Sequence, residues 1–387
     1  MTRSSSSASD RLHTVSPLAY DARHALNAVC PYFTMFPLEF PLAVLKSAKK
    51  DALIADPFCG RGTTIYAARY LGLQSLGIDS SPIAAAIAKA KTVSSTVGRV
   101  VQLATDLLET IPRPPLPKGE FWRRAYHPST LDELCRLRAG LAGAPETQTS
   151  TLLRAILLGV LHGPVSKYSE RAGYLSNQMP RTFAPKPDYA ARYWRANGLK
   201  PPKLSTIAVI RRKAERVLAS PPARVNSSSR IRCGDSRQSA PYRHLLHRIT
   251  HVVTSPPYYG VRTYVEDQWM RHWLLGGPDR VCYGSATQLS HESPEAFAQS
   301  LAMVWDQIAA RGASTLKMVI RFGSIKSRRS NAREILLESL DKSLVRWRVD
   351  KVQYAGNYRR GRRQADQMIS SGIAAPEYDF YITGKPS

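Results

Sequence analysis

Three acidic residues follow short apolar runs and could together surround a cationic ligand. Asp56 opens the segment DPFCGRGTT, Asp79 ends the run LQSLGID, and Asp235 lies in CGDSRQ. Glycines at 60 and 62 allow the backbone to approach a ligand closely. A carboxylate after the second run can accept both hydroxyls of a ribose, and one beside the first run favours a positive group over a phosphate. The pattern therefore predicts a site for a positively charged adenosine.

A second stretch, TSPPYY at Thr254–Tyr259, has the composition needed to hold a planar base. Its two prolines carry no N–H and have a fixed φ angle, so their segment presents carbonyl oxygens and few donors. The Ser255 hydroxyl can also accept, and Tyr258 offers an aromatic face for stacking. These features suit a base whose exocyclic amino group must donate its protons. The alternative is a strand-ending turn whose tyrosines lie in the core.

The elements that must position these motifs alternate between strand and helix. Strands are predicted at Ala52–Ala55, Ser75–Ile78, Arg230–Cys233 and Ile249–Thr254, and in TLKMVIRFGSI, WRVDKVQYAG and PEYDFYITGK. Helices are predicted at Leu38–Ala48 and Thr63–Leu71 and from Pro82 onwards, with Ser80 or Ser81 as the N-cap. Two successive strand–turn–helix units predict an α/β fold with a parallel, doubly wound sheet.

The pattern becomes mainly helical between the second and third predicted strands. We therefore divide the chain into a flexible tail (1–20), a catalytic domain (21–96 and 230–387) and a helical insertion (97–229). Asn177, Gln178 and Arg181 in the insertion have side chains that can bond base edges. Nearby aromatic residues alternate with Lys and Arg, which suits base stacking and phosphate contact. The insertion is either a target-recognition region or a proline-braced lid with packed aromatics.

The charge balance indicates a polyanionic partner. Lys and Arg number 55 against 29 Asp and Glu, which gives a net charge of +26 and a pI near 10.1. The excess is concentrated in Lys167–Arg232 and Arg311–Arg363, which form either two walls of one phosphate-binding groove or separate solvated faces. We expect the basic loop of Arg359, Arg360, Arg362 and Arg363 to contact phosphate.

The cysteines and the apolar runs disfavour disulfide-rich, zinc-binding and membrane proteins. The five cysteines form no CxxC pair, which disfavours a disulfide framework or a zinc site and fits a reducing cytosol. The N-terminus lacks the apolar core of a signal peptide, and no run approaches the ~18 apolar residues of a membrane span. We expect a cytoplasmic protein with no metal and no membrane partner.

Taken together, DPFCGRGTT, GIDSSP, CGDSRQ and TSPPY resemble the successive motifs of amino-methylating DNA methyltransferases. CPYFTMFPLEFP, Cys30–Pro41, resembles the segment that closes over the cofactor in this family. The resemblance implies a Rossmann-like class I methyltransferase fold, with a mostly parallel sheet and an antiparallel C-terminal strand. It also implies that S-adenosylmethionine is the methyl donor and that the acceptor is an exocyclic amino nitrogen of a flipped base in double-stranded DNA.

The resemblance carries over to specific positions of this chain. The implied catalytic residues are Ser255, Pro256, Pro257 and Tyr258. The implied cofactor-binding residues are Tyr32, Phe36, Pro37, Asp56, Pro57, Phe58, Cys59, Gly60, Gly62, Thr63, Thr64, Asp79, Ser80, Asp235, Ser236 and Thr254. The candidate DNA-binding residues are Asn177, Gln178, Arg181, Tyr259, Arg262, Arg359, Arg360, Arg362 and Arg363.

The first residue of the SPPY motif bears on which base is modified. In this family SPPY is typical of cytosine N4 methylation, and an Asp in the first place is typical of adenine N6 methylation. We therefore predict a cytosine-N4 enzyme of a prokaryotic restriction-modification system, with a cognate restriction endonuclease as a possible partner. An N6-adenine enzyme, an RNA amino-methyltransferase and a catalytically silent nucleic-acid-binding protein remain open, as do monomer and dimer.

Overall fold

The computed structural model describes residues 22–32, 36–220, 229–245, 248–260, 265–282, 289–323, 331–357 and 376–385. The predicted flexible tail at 1–20 lies outside the described residues, as do Arg262 and the four arginines of the basic loop, Arg359, Arg360, Arg362 and Arg363.

The described residues contain one seven-stranded sheet in the order β3-β2-β1-β4-β5-β7-β6. The strands are β1 (Leu53–Asp56), β2 (Gln74–Asp79), β3 (Arg230–Cys233), β4 (Ile249–Thr254), β5 (Gly312–Gly323), β6 (Trp347–Asn357) and β7 (Pro376–Gly384). The first five are parallel to one another, and β7 is antiparallel to both β5 and β6. This confirms the predicted doubly wound, mostly parallel Rossmann-like sheet with an antiparallel C-terminal strand.

Twelve α-helices accompany the sheet within the described ranges. They are α1 (Glu39–Leu45), α2 (Thr63–Tyr70), α3 (Pro82–Lys89), α4 (Val97–Thr110), α5 (Glu120–Ala125), α6 (Pro128–Gly143), α7 (Gln148–Val160), α8 (Pro187–Ala196), α9 (Thr206–Leu218), α10 (Trp269–Leu274), α11 (Pro294–Ala309) and α12 (Ala332–Asp341). A 3-10 helix at Ala22–Ala28 precedes them. Helices α4–α9 lie between β2 and β3, which confirms that the insertion is mainly helical.

Two local signals start the helices that follow β1 and β2. Gly62 has φ +78 at the N-cap of α2, and a Cβ there would lie 2.9 Å from the Ala88 Cβ of α3. Only glycine combines this left-handed turn with such close helix packing. Ser81 caps α3 by accepting from the Ala84 N–H, and Pro82 occupies the first turn. The turn at Gly62 thus holds the loop that follows β1 close to the second helix.

The two faces of the sheet are covered by different layers. Side chains alternate along β1, so Ile54 packs with the insertion helices while Leu53 and Ala55 pack with α11 and α12. The core around Ile54 also contains Leu134 and Leu152, from α6 and α7. The insertion therefore shares one continuous core with the first strand–helix units. The division of the chain into domains stays a prediction.

Because β1–β5 are parallel, their carboxyl ends meet at the same edge. The strand order reverses beside β1, which lies between β2 and β4. A doubly wound sheet has a crevice for ligands at such a reversal. Asp79, Asp56 and Thr254 are the last residues of these three strands.

Candidate active site

Asp56 is the centre of a hydrogen-bond network that joins β1 to β4. The side chain is only 2% exposed and accepts from the Thr254 hydroxyl at 2.6 Å and from the Phe58 N–H at 3.2 Å. Thr64 is fully buried and donates to the Val253 carbonyl at 3.0 Å, so α2 is also tied to β4. Burial raises the pKa of Asp56 to about 6, although the hydrogen bond from Thr254 lowers it in part. The first residue of TSPPY thus contacts the first acidic residue directly.

Asp79 occupies the equivalent place at the end of β2. One carboxylate oxygen accepts from the Gly60 N–H and the other from the Ser81 N–H, each at 2.9 Å. Each oxygen can accept a further hydrogen bond, which a ribose hydroxyl could donate. Burial raises the pKa of Asp79 to about 6 as well.

Neither Asp56 nor Asp79 forms an ion pair with a lysine or arginine among the described residues. A buried carboxylate normally has a cationic partner or is neutralised by a proton. The buried Asp56 and the partly exposed Asp79, at neighbouring strand ends, make an electrostatic site for a cationic ligand. The negative charge of these two carboxylates fits the positively charged sulfonium and ammonium groups of S-adenosylmethionine.

The loop between these carboxylates is shaped by its glycines and by a main-chain bond to β2. Gly60 has φ +49, and a Cβ at this position would have no atom within 4 Å, so the surface beside it is open. Cys59 is buried and its N–H donates to the Ile78 carbonyl at 2.9 Å. Cys59 is therefore a packed residue of the loop, and Gly60 provides the place where a ligand can approach the backbone.

Asp235, which follows β3, differs from the other two acidic residues. Both of its carboxylate oxygens are bonded by Arg237, the shortest contact being 2.7 Å. Burial alone would raise the pKa of Asp235, but the hydrogen bonds from Arg237 outweigh burial and lower it. Ser236 donates to the Pro57 carbonyl and therefore braces the loop after β1. Asp235 thus has its own cation, so any contact with an adenine amino group would compete with Arg237.

The segment before α1 lies over the cofactor loop. Arg61 donates to the carbonyls of Asn27 and Cys30, at 2.9 and 3.4 Å. Tyr32 donates to the Ser81 hydroxyl at 3.1 Å. These contacts bring the predicted cofactor-covering segment to the loops after β1 and β2. Farther along this segment, Phe36 is buried and packs edge-on against Phe40, with 5.1 Å between the ring centroids. Phe36 is therefore a packed side chain.

In the TSPPY segment, Ser255, Pro257 and Tyr258 are partly exposed and Pro256 is buried. The Tyr258 hydroxyl donates to Glu377, and its ring packs edge-on against Phe322 at 5.6 Å. The sequence pattern did not identify Glu377, which lies 119 residues from Tyr258 in the chain. Only the pairing of β7 with β5 brings it to this edge, so no local signal could have revealed it.

The structure requires corrections among the candidate DNA-binding residues. Asn177 is 1% exposed, and its amide donates to the carbonyls of Arg124 and Leu199. Tyr259 is buried between the rings of His291 and Phe297. Because both side chains are enclosed by the core, we assign them structural roles in place of nucleic-acid contact.

Other candidates in the insertion reach solvent. Gln178 and Arg181 are exposed, although the Gln178 side-chain oxygen accepts from the Val165 N–H. On α8, Trp194 is fully buried while Tyr189 and Tyr193 are 62% and 44% exposed. Of the aromatic residues on this helix, Trp194 therefore lies in the core, while Tyr189 and Tyr193 reach solvent.

The N-terminal part of the chain matches a protein family. Residues 6–90, about a fifth of the 387, match the N6/N4 family model described as DNA methylase. Over this segment the chain is similar to N6/N4 DNA methylases. It includes the covering segment, the glycine loop and Asp79, and it ends before TSPPY. S-adenosylmethionine is the cofactor that the matched family implies.

Comparisons over the whole chain give only weak similarities. No curated protein sequence matches this chain. Two structures of the rRNA methyltransferase aviRa from Streptomyces viridochromogenes align at 13% identity with TM-scores of 0.33 and 0.32, over 92% and 93% of this chain and 88% and 92% of theirs. An rRNA methylase from Streptococcus thermophilus aligns at 7% identity and a TM-score of 0.30, over 92% of this chain and 99% of its own. Scores this low carry no argument about substrate.

The described ranges show neither a metal-ion cluster nor a helix suited to a bilayer. No three His, Cys, Asp or Glu side chains in these ranges are grouped to hold a metal ion. None of the helices found there has the length and apolar character needed to cross a membrane.

Proposed function

We propose that this protein transfers a methyl group from S-adenosylmethionine to the N4 amino group of a flipped cytosine in DNA. The observation that carries the proposal is the 2.6 Å hydrogen bond from Thr254 to Asp56. It places the start of the amino-group motif against the acidic residue of the glycine loop. A methyl donor held by the loop and a base held by the motif would therefore lie side by side.

In this proposal the two carboxylates bind different parts of the cofactor. Asp79 accepts from the ribose hydroxyls, and Asp56 with the loop from Pro57 to Thr63 surrounds the methionine portion. When bound, the cofactor supplies an electrophilic methyl group on a sulfonium, so no covalent enzyme intermediate is needed. Placing the two reactants in line supplies much of the acceleration, because it replaces an encounter in solution.

Ser255, Pro256 and Pro257 hold the amino group of the base. The lone pair of that nitrogen is delocalised into the ring, and its protons become acidic as it attacks the methyl group. Carbonyl oxygens and the Ser255 hydroxyl accept those protons in hydrogen bonds, and the prolines add no competing donor. Tyr258 offers a face for the extruded base. Cytosine is favoured over adenine because a serine hydroxyl can both donate to and accept from the pyrimidine edge.

Duplex DNA is the proposed partner, and the α8 face supports a nucleic acid. Tyr189 and Tyr193 lie one turn apart on the exposed side of α8, with exposed Arg192 beside them. This combination suits phosphate contact and stacking on bases. By resemblance, we also propose a prokaryotic modification system with a companion restriction endonuclease.

Transfer of a radiolabelled methyl group tests the proposal. Wild-type protein with S-adenosylmethionine labelled in its methyl group is incubated in parallel with mixed-sequence duplex DNA and with structured RNA. We expect label in the DNA and little in the RNA. Label in RNA alone would establish the RNA methyltransferase instead. If calorimetry shows tight binding of S-adenosylmethionine but neither nucleic acid is labelled, the proposed reaction is contradicted. If S-adenosylmethionine does not bind, the result favours a catalytically silent nucleic-acid-binding protein.

A further inference from the structure

Tyr258 is held from outside its own motif by a buried glutamate. Its hydroxyl donates to Glu377 Oε1, and Glu377 is 6% exposed. Glu377 is the second residue of β7 and pairs with Gly323 at the end of β5. A hydrogen bond from a hydroxyl to a carboxyl oxygen is directional. It therefore fixes the tilt of the tyrosine ring as well as the place of its hydroxyl.

Gly323 lies against both Tyr258 and Glu377 and leaves room for their contact. A Cβ on Gly323 would lie 3.1 Å from the Glu377 Cγ and 3.4 Å from the Tyr258 Cε2. Any side chain at 323 would press on both members of the pair. Phe322 meets the Tyr258 ring at an interplanar angle of 89°. The ring is thus restrained by its neighbours on β5 and by its hydroxyl on β7.

A neighbouring ion pair sets the register that brings Glu377 to this position. Arg321 donates two hydrogen bonds to Asp379, at 2.7 and 2.8 Å, and both side chains are buried. The two residues are directly paired between β5 and β7. The Arg321 guanidinium also lies 3.9 Å from the centroid of the Phe40 ring. This contact connects β5 to α1, at the end of the cofactor-covering segment.

We propose that Glu377 is a positioning residue that orients Tyr258 for the target base, a role that rests on the proposed function above. A tyrosine on a surface loop can turn about two side-chain bonds, and an extruded base stacks well in only some of those orientations. Glu377 selects one orientation before the base arrives. Its contribution therefore appears in the step that uses the base and leaves cofactor binding unaffected.

A double-mutant cycle tests this role through the steady-state rate of methyl transfer. Tyr258→Phe and Glu377→Ala each remove the hydrogen bond, and we expect each to lower kcat by about tenfold. The double variant should be no slower than the slower single variant, because each substitution removes the same hydrogen bond. Glu377→Gln retains an acceptor oxygen and should recover most of the rate. The control is Asp350→Ala, which removes an exposed carboxylate on β6, the strand paired with β7, and should leave kcat unchanged.

The outcomes separate the two proposals. Wild-type protein that binds S-adenosylmethionine but methylates no nucleic acid would overturn both. If the wild type is active, losses that multiply in the double variant would overturn the positioning role alone. So would a Glu377→Gln variant as slow as Glu377→Ala, or single variants whose main change is weaker S-adenosylmethionine binding. Thermal unfolding of each variant identifies losses caused by misfolding, and the conservative Glu377→Gln and Tyr258→Phe variants keep the comparison valid if Glu377→Ala does not fold.

Discussion

Asp56 and Asp79 give the site its negative charge, and holding that charge in the folded protein lowers the protein's stability. Each is held by hydrogen bonds, and the pKa of each is raised to about 6 because burial disfavours the ionised form. Their hydrogen-bond partners orient the oxygens without neutralising them. A cationic ligand would supply the missing counter-charge. We therefore expect cofactor binding and protein stability to respond to these two groups in opposite directions.

Cofactor affinity should depend on pH through these carboxylates. Both are ionised above their pKa of about 6 and become neutral below it. Calorimetric titration of S-adenosylmethionine should thus show weaker binding as the pH falls from 7 to 5. Asp79→Asn should bind more weakly at pH 7 and show a shallower pH dependence. A wild-type affinity that is constant over this range would contradict the assignment.

The stability of the ligand-free protein should change with pH in the reverse sense. The folded pKa of Asp56 is raised above its usual 3.8, so its contribution to stability is fully present below pH 3.8 and is lost as the pH rises through about 6. Asp56→Asn mimics the neutral form and keeps an oxygen that can accept from Thr254. We expect this variant to melt at a higher temperature than wild type at pH 8 and at a similar one only below pH 3.8, where the carboxyl is protonated in both the folded and the unfolded chain. Equal melting temperatures at pH 8 would mean that the carboxylate carries no such cost.

Substitutions in the proposed base site and in the proposed cofactor site should affect methyl transfer and cofactor binding differently. Ser255→Ala and Tyr258→Ala should lose methyl transfer while binding S-adenosylmethionine as wild type does, because both belong to the base site. Asp79→Ala should weaken cofactor binding first. Comparing calorimetric affinity with the transfer rate checks this assignment. The opposite pattern would mean that the two subsites are exchanged.

Among the secondary-structure elements, the strand-end motifs were the most predictable. All seven strands lie within a few residues of their predicted positions, because most of them are apolar or alternating runs that end near Asp, Gly or Pro. The helices after β1 and β2 followed from Gly62 and from the Ser81 cap with Pro82. These local signals sufficed to place Asp56, Asp79 and Thr254 at one edge.

Contacts between distant parts of the chain were not predictable in this way. Asn177 has the side chain of a base-reading residue, yet it bonds the carbonyls of Arg124 and Leu199. The pairing of Tyr258 with Glu377 depends on the β5–β7 register. Burial and strand register decide such contacts, and single-residue patterns do not encode either.

The start of the covering segment and the residues just before it are held by Arg61. The guanidinium donates to two of their carbonyls, and Lys91 donates to the Asn27 side chain at 2.6 Å. Arg61→Ala should free this segment, lower the stability by about 1–3 kcal/mol and weaken S-adenosylmethionine binding. Thermal unfolding and calorimetry check both effects. Arg123→Ala, an exposed arginine of α5, is the control and should leave affinity unchanged.

The whole molecule carries a net charge of +26, and the proposed function expects the α8 face to meet nucleic acid. Arg192→Gln with Tyr189→Ala should weaken DNA binding and reduce the slope of log affinity against log salt by about 0.9 for each phosphate that is no longer neutralised. The basic control is Arg333→Gln on α12, which packs on the opposite face of the sheet. Fluorescence anisotropy over a salt series gives both slopes. An equal loss of affinity in both variants would indicate only the general effect of charge.

If the protein acts as proposed, the acidic strand ends and TSPPY form a single site for methyl transfer to an amino nitrogen. Mass spectrometry of nucleosides tests this most directly, after duplex DNA has been incubated with the protein and S-adenosylmethionine carrying a deuterated methyl group. We predict deuterated N4-methyldeoxycytidine with wild-type protein and none with Ser255→Ala. Deuterium in 5-methyldeoxycytidine, or an undiminished signal from Ser255→Ala, would contradict the shared site.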